Sequence, residues 1–395
     1  MSVDLEDKKQ YNKVLKKGAL YGALFVVIIL IVLYLILALI TGKADALGIK
    51  EFIKLKQAEV IVNQNYRGDL DKENLQDYLM AGYVAGLSDP YANYYGKEQL
   101  KEYNSGVDGK YVGLGFTYSK DTKSGNIKIS SVYKNTPAEK AGLKSGDYIT
   151  KIGDKEISSL KNDILKGYKK GDKVKITYYS KNPKELKIIE VILTDINVTS
   201  VEDKVITSGK NKIGYIKVNE FNANTDEQWT KALKSLNKKD VHGLIIDLRD
   251  NGGGIVKAAT NMLNTLVPKG VILTEKDKND RVVNTVRSNG KVIWKKPIVV
   301  LVNKDTASSS EIFTGVLKDK KKCIVVGERT YGKGIIQTPF ELIDGTIITL
   351  TTREYFLPNG ESIHKKGIEP HIVIANNSKD KDAQLEKGIS VLEGM

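Results

Sequence analysis

A single cysteine, Cys323, stands among 395 residues. No disulfide can form within the chain, and no Cys-ligated zinc finger can be built. Three histidines, His242, His364 and His371, are too few for a His-rich metal site, and none is an obvious base for a Ser-His-Asp triad. Arginine is scarce too, at six of the 62 basic residues. Nucleic-acid readers lean on arginine forks and interleaved aromatics. The net charge of +14 therefore reads as a lysine-rich solvated surface and not as a nucleic-acid stripe. Eight prolines, with 41% hydrophobic and 28% charged residues, exclude a collagen-like or wholly disordered chain. The length exceeds one compact domain and suits two or three.

What the chain does have begins with Leu20–Ile40, twenty-one residues without a charge. As a helix this run spans roughly 31 Å, the thickness of a bilayer core. A buried core helix is seldom apolar on every face. A cleaved signal peptide would have a shorter apolar region, although Ala44-Asp45-Ala46 offers a small-x-small cleavage site. The expectation is an uncleaved signal anchor. Lys8, Lys9, Lys13, Lys16 and Lys17 precede it, and Lys43 and Lys50 are the nearest positive charges after it. The positive-inside rule then predicts a cytoplasmic stub over residues 1–19, the span over 20–40, and the remainder outside the membrane. The charge of the exported part would meet anionic headgroups or cell-envelope polymers.

A helical arm is expected over 41–105, where Phe52, Leu55, Ala58 and Val62 recur at threes and fours, with a stop at Asp89-Pro90-Tyr91. Residues 106–195 read as a small β domain with strands at Tyr111–Tyr118, Ile127–Val132, Tyr148–Ile152, Val174–Tyr179 and Ile188–Leu193. Between the second and third lies a short helix: Thr136 as N-cap, Pro137 at its first position, Glu139 completing a capping box and Gly142 ending it. Residues 196–376 look α/β. Strands are expected at Ile213–Val218, Leu244–Leu248, Ile298–Val302, Cys323–Val326 and Thr346–Leu350, with helices at Asp226–Leu236 and Ser309–Lys318. A C-terminal helix closes the chain in 377–395.

Three segments offer chemistry. After the strand ending at Asn303, the turn Lys304–Ser308 opens a helix, and a serine there can project its hydroxyl beside a helix N-terminus. Ordinary capping by Ser or Thr explains the same residues. Gly327-Glu328-Arg329-Thr330-Tyr331-Gly332-Lys333-Gly334 nearly matches a phosphate-binding loop. However, Gly334 lacks the hydroxyl that would hold magnesium, and the next residues read as a strand where such a loop must open a helix. Together the two segments supply a serine and a lysine, a pair able to run acyl transfer if burial lowers the lysine pKa. The third segment, Asp247–Gly254, follows a buried strand, and its glycines can present N–H groups to an oxyanion.

Two resemblances follow from these strings. Gly113-Leu114-Gly115-Phe116, with Thr136-Pro137-Ala138 and Ala141-Gly142-Leu143-Lys144-Ser145-Gly146-Asp147, resembles a PDZ domain of the protease-associated type. That resemblance implies a glycine loop receiving a peptide's terminal carboxylate while the peptide adds to a sheet edge. Leu244–Arg249, Ser308-Ser309-Ser310-Glu311-Ile312, Gly332-Lys333-Gly334, Thr351-Thr352-Arg353-Glu354-Tyr355 and Gly367-Ile368-Glu369-Pro370 resemble, in order and spacing, the carboxyl-terminal processing proteases of family S41. This likeness covers about residues 50–390.

The S41 resemblance implies Ser308 as nucleophile, Lys333 twenty-five positions on as general base, Gln337 as the residue orienting that lysine, and the N–H groups of Gly253 and Ser309 as the oxyanion hole. Thr306, Ser309, Gly252, Tyr331 and His371 depart from the family's usual residues. Because Ser309 makes three serines adjacent, the nucleophile assignment rests on spacing. The expected molecule is an α/β multidomain chain: a transmembrane helix, a helical arm, and a PDZ β domain inserted before an α/β serine-protease core. It would cut exported or membrane proteins near their C-termini without metal or cofactor, its PDZ domain capturing the tail and gating the site. The resemblance further implies a homodimer built from residues 48–104 and the C-terminal helix. A non-catalytic anchored PDZ scaffold that binds tails is the alternative.

Overall fold

The computed structural model describes residues 3–41, 48–121, 124–159, 164–165, 167–180, 182–375 and 381–395. Lys43 and the Ala44-Asp45-Ala46 string lie outside the described residues. The chain divides into two units, residues 1–76 and 77–395.

The first unit holds α1 (Val3–Thr41), α2 (Ile49–Asn65) and the start of α3 (Lys72–Ala85). Within α1, the most apolar 18-residue stretch of Gln10–Leu37 has a mean hydropathy of 3.1, and none of that stretch is buried by protein. A helix apolar on every face and covered by nothing is suited to lipid, and it is long and apolar enough to cross a membrane.

The second unit completes α3, then forms β1 (Asn93–Tyr95) and α4 (Lys97–Asp108). The expected helical arm thus contains a strand, which pairs antiparallel with residues 347–349. Next come β2 (Lys110–Gly113), β3 (Phe116–Lys120), β4 (Ile127–Val132), α5 (Pro137–Lys140), β5 (Tyr148–Ile152), β6 (Lys155–Glu156), β7 (Lys173–Tyr179), β8 (Lys187–Ile192) and β9 (Thr194–Asn197). The run expected as one strand over Tyr111–Tyr118 is two. Leu114 and Gly115 break it, Gly115 at φ +89°, where a side chain would meet Thr136 at 2.3 Å. β2 pairs with β9 as a ribbon, and the remaining strands form a sheet in the order β3-β4-β5-β7-β8 with β6 on β5. Leu114, Phe116, Ile129, Ile149, Ile176 and Val191 are among the side chains that fill its core. Thr136 caps α5 by accepting the Glu139 N–H, while the Glu139 carboxylate reaches back to Asn135.

The rest is β10 (Val201–Ser208), β11 (Asn211–Val218), α6 (Thr225–Lys238), β12 (Gly243–Asp247), α7 (Val256–Leu263), β13 (Gly270–Lys276) and β14 (Val282–Ser288). These lead to β15 (Ile298–Val302), α8 (Ser309–Asp319), β16 (Ile324–Gly327), β17 (Ile335–Glu341), β18 (Ile347–Phe356), β19 (Ile372–Val373) and α9 (Ala383–Glu393). One sheet runs β10-β11-β12-β15-β16-β19, parallel except for β10. β12 and β15 are buried along their whole length, because helices cover both faces of a parallel sheet. α6 shows the pattern that does the covering: Trp229, Ala232, Leu233 and Leu236 are buried at helical spacing, with Asp226 and Glu227 in its first turn and Lys238 in its last. α6, α7 and α8 pack on one face and α9 on the other. A second sheet, β1-β18-β13-β14 with β17 on β18, stands beside it.

Candidate active site

In parallel α/β sheets, ligands meet the carboxyl ends of the strands. Here the turns after β12 and β15 are stitched together. Thr306 Oγ1 donates to the Leu248 carbonyl (2.9 Å), the Ala307 N–H to the Asn251 carbonyl (3.0 Å), and Ser310 Oγ to that same carbonyl (3.0 Å). Ser309 Oγ donates to the Gly254 carbonyl (2.8 Å). Ser309 and Ser310 are fully buried with their hydroxyls engaged. Ser308 differs from both. It is half-buried, its hydroxyl bonds to no described residue, and it sits at φ +56°, ψ −116°. A non-glycine residue held there stores roughly 1–3 kcal/mol of backbone strain, a cost that recurs at functional turns between strand and helix.

Two buried groups hold that turn in place. The Glu311 carboxylate, fully buried, accepts the Ser308 N–H (2.8 Å), the Lys333 N–H (2.8 Å), the Gly332 N–H (2.7 Å) and the Thr330 hydroxyl (2.5 Å). The Tyr355 hydroxyl lies 2.7 Å from the Lys333 carbonyl and 3.1 Å from that of Ser308. Burial pushes the Tyr355 phenol well above its usual pKa, with the Glu311 charge adding to the shift. It therefore stays a hydrogen-bond donor. The Ser308 turn and the Lys333 segment thus share an acceptor and a donor. The residues after Gly334 form β17, the strand that the sequence favoured over a phosphate-binding helix.

The Lys333 side chain is half-buried, and burial lowers its pKa, with the Asp89 charge partly opposing. Its ammonium lies 4.6 Å from the centre of the Tyr91 ring. It makes no hydrogen bond to the Ser308 hydroxyl. Gln337, expected to orient the lysine, donates its amide N–H to Thr351 Oγ1 (3.1 Å). The Gly253 N–H, expected in the oxyanion hole, donates to Asn251 Oδ1 (2.8 Å). Gly253 is at φ +103°, and a side chain there would come within 2.9 Å of the Ser309 nitrogen, so the glycine loop lies directly against the Ser308 turn.

In the β domain, Gly113 ends β2 beside Thr194, and Leu114 is buried. The Leu114 and Gly115 carbonyls accept the N–H groups of Ala138 (2.8 Å) and Tyr133 (2.9 Å). β3, which starts at Phe116, pairs only with β4, so its other edge is open among the described residues.

None of the histidines is hydrogen-bonded to the serine hydroxyl. His242 Nε2 is 3.0 Å from the Leu392 carbonyl, and His371 Nδ1 accepts the Val325 N–H. The backbone of His364 packs on Gly334. Sequence reading missed Glu311, Tyr355, Asn251, Asp89 and Tyr91. For Glu311 the signal was present, since Ser308-x-x-Glu311 is a capping-box spacing.

Comparison with known proteins agrees with this layout. Peptidase family S41 matches residues 212–374, and the PDZ domain matches residues 111–191. A "Probable CtpA-like serine protease" of Staphylococcus epidermidis is 33% identical over 346 residues, covering 85% of this chain and 69% of that protein. Its counterpart in Staphylococcus aureus (strain COL) is 35% identical over 324 residues, covering 81% of this chain. The chain spans 64% of that S. aureus relative's length. A Bacteroides fragilis protein described as an S41 protease shares the fold at a TM-score of 0.52 and 17% identity, over 83% of this chain and 92% of that one. The chain belongs to peptidase family S41, with the CtpA-like serine proteases among its relatives and a PDZ domain ahead of the S41 core.

Proposed function

We propose that the protein is a membrane-anchored serine endopeptidase that cuts exported proteins near their C-termini. Ser308 would attack the scissile carbonyl, and Lys333 would accept its proton and pass it to the departing amine as the acyl-enzyme forms. The acyl-enzyme would then be released by water, with Lys333 again as base. The observation that carries this reading is the strained Ser308 turn, joined to the Lys333 segment through Glu311 and Tyr355. Burial that lowers the Lys333 pKa supports its role as base. The N–H groups of Gly253 and Ser309 would receive the oxyanion, which requires the Gly253 N–H to leave Asn251. Gln337 would have to exchange Thr351 for Lys333 to orient the base.

The open edge of β3 and the turn at Gly113–Phe116 suit a peptide tail that adds as a strand, with its carboxylate at the loop. The PDZ domain would thereby gate the site. Leu20–Ile40 would anchor the chain with its N-terminus in the cytoplasm and its catalytic part outside, and two copies would pair through residues 48–104 and the C-terminal helix. The absence of a Ser308–Lys333 hydrogen bond favours the second reading, a non-catalytic anchored scaffold that binds tails. Digestion of a substrate with an unstructured tail separates the two. Wild type should cut it, and Ser308→Ala and Lys333→Ala should each lose at least about 10³-fold in kcat/KM. A wild type that binds tails and never cuts them leaves the scaffold.

A further inference from the structure

The segment before β1 reaches the base. Tyr91 lays its ring under the Lys333 ammonium. The Tyr91 N–H donates to Asp89 Oδ1 (3.0 Å), so the two side chains are set by one turn. Burial, the largest influence on Asp89, raises its pKa. The Tyr91 N–H, the Thr351 hydroxyl and N–H, and the Lys333 charge outweigh it and hold the carboxyl below its usual range. Thr351 also accepts the Gln337 amide. One turn therefore touches the base directly and reaches its expected orienting residue through a shared threonine.

We propose that Asp89 and Tyr91 are positioning residues that hold Lys333 as an ammonium in a resting place, away from a hydrogen bond with Ser308. The proposal rests on Lys333 being the general base. A ring face and a carboxylate both favour the charged lysine, whereas proton abstraction needs the neutral amine. To act, Lys333 must leave the ring and give up its proton. The Tyr91 hydroxyl faces that of Tyr331. A cavity of about 500 Å³, lined by Asp89, Tyr91, Tyr331 and His364 among others, gives both rings room to move. The other titratable groups around Lys333 are Glu311 and Tyr355, bonded to its backbone, and Tyr331, His364 and Lys365 along the cavity. The charge that opposes the effect of burial on Lys333 is that of the Asp89 carboxylate.

The test reads the titration of the Lys333 amine itself in the full-length protein. Competitive labelling with acetic anhydride across pH, followed by mass spectrometry, gives the midpoint without depending on turnover. Tyr91→Leu and Asp89→Asn should each lower that midpoint by about 0.5–1 pH unit. The acid limb of the kcat/KM profile should move down by the same amount, giving roughly 3- to 10-fold faster cleavage at a fixed pH on that limb. Tyr91→Phe keeps the ring and should titrate like wild type. Asp89→Asn is isosteric and carries the test if Tyr91→Leu does not fold. Midpoints that stay put or rise in both variants overturn the proposal. Full activity in Lys333→Ala would instead overturn the dyad on which it rests. An inactive Lys333→Ala with unmoved midpoints would leave the dyad standing and remove the positioning role alone.

Discussion

Of the three adjacent serines, two are structural by their contacts, which predicts a split between stability and activity. Ser309→Ala leaves the Gly254 carbonyl without its donor and should cost about 1 kcal/mol of unfolding free energy while cleavage continues. Ser308→Ala removes a hydroxyl that bonds to nothing described, so its thermal midpoint should match wild type while cleavage is lost. The reverse pattern, measured by thermal unfolding and tail digestion, would transfer the nucleophile role to Ser309. Glu311 is the residue on which the site's geometry depends. Glu311→Gln swaps one acceptor oxygen for an N–H donor amid four donors, and hydrogen bonds to a charged group are worth about 1.5–3 kcal/mol each. The variant should unfold at least about 2 kcal/mol more easily, and kcat should fall with KM little changed, because the substrate's binding surfaces lie elsewhere. Unchanged kcat in a folded Glu311→Gln protein would reduce the carboxylate to a helix cap.

Among the elements, the turn after β12 and the tether of α9 are the vulnerable parts. A side chain at Gly254 would lie 2.1 Å from the Phe221 carbonyl, so Gly254→Ala should detach the glycine loop and cost both stability and activity. Arg249 pairs with Asp247 and, through two hydrogen bonds, with the N-cap of α9 at Asp382. Its side chain is 11% exposed and that of Asp247 is 1%. Arg249→Met would strand a buried carboxylate, a loss of about 3–5 kcal/mol, and hydrogen exchange should show α9 opening first. The buried strands were legible in the sequence because parallel strands covered on both faces read as continuous apolar runs; Ile298–Val302 was found residue for residue. β13 and β14 were not, since Thr274, Glu275, Asn284 and Thr285 interrupt any run and the hairpin is specified by pairing. The roles proposed for Ser308 and Lys333 came from the S41 resemblance and its spacing. Tyr355 and Asp89 could not, because their roles exist only once β18 and the turn before β1 fold against the lysine segment.

At the scale of the molecule, the PDZ sheet is entered through β2 and left through β9, and these pair with each other, Gly113 facing Thr194. The base of this ribbon is pinned: the Asn224 amide donates to the Asp108 and Gly109 carbonyls at 2.9 and 3.0 Å. Replacing residues 114–193 with a short Gly-Ser turn should therefore leave the catalytic core folded. If the PDZ domain selects tails, the excised protein should lose any preference for a free carboxylate over an amidated tail; a retained preference would place that selectivity in the core. The join between Ser308 and Lys333 bears on how fast such an enzyme can switch. With both backbones fixed to one carboxylate and one phenol, the Ser308 and Lys333 segments cannot separate without breaking buried hydrogen bonds to a charge. Under the proposed roles, the change from resting to working state is then a lysine rotamer, a motion of picoseconds to nanoseconds where side chains are free. Domain movements of microseconds to milliseconds would set how often that swing is permitted, so the protein should behave as a fast chemical device behind a slow entrance, its turnover tracking tail delivery more than bond breaking.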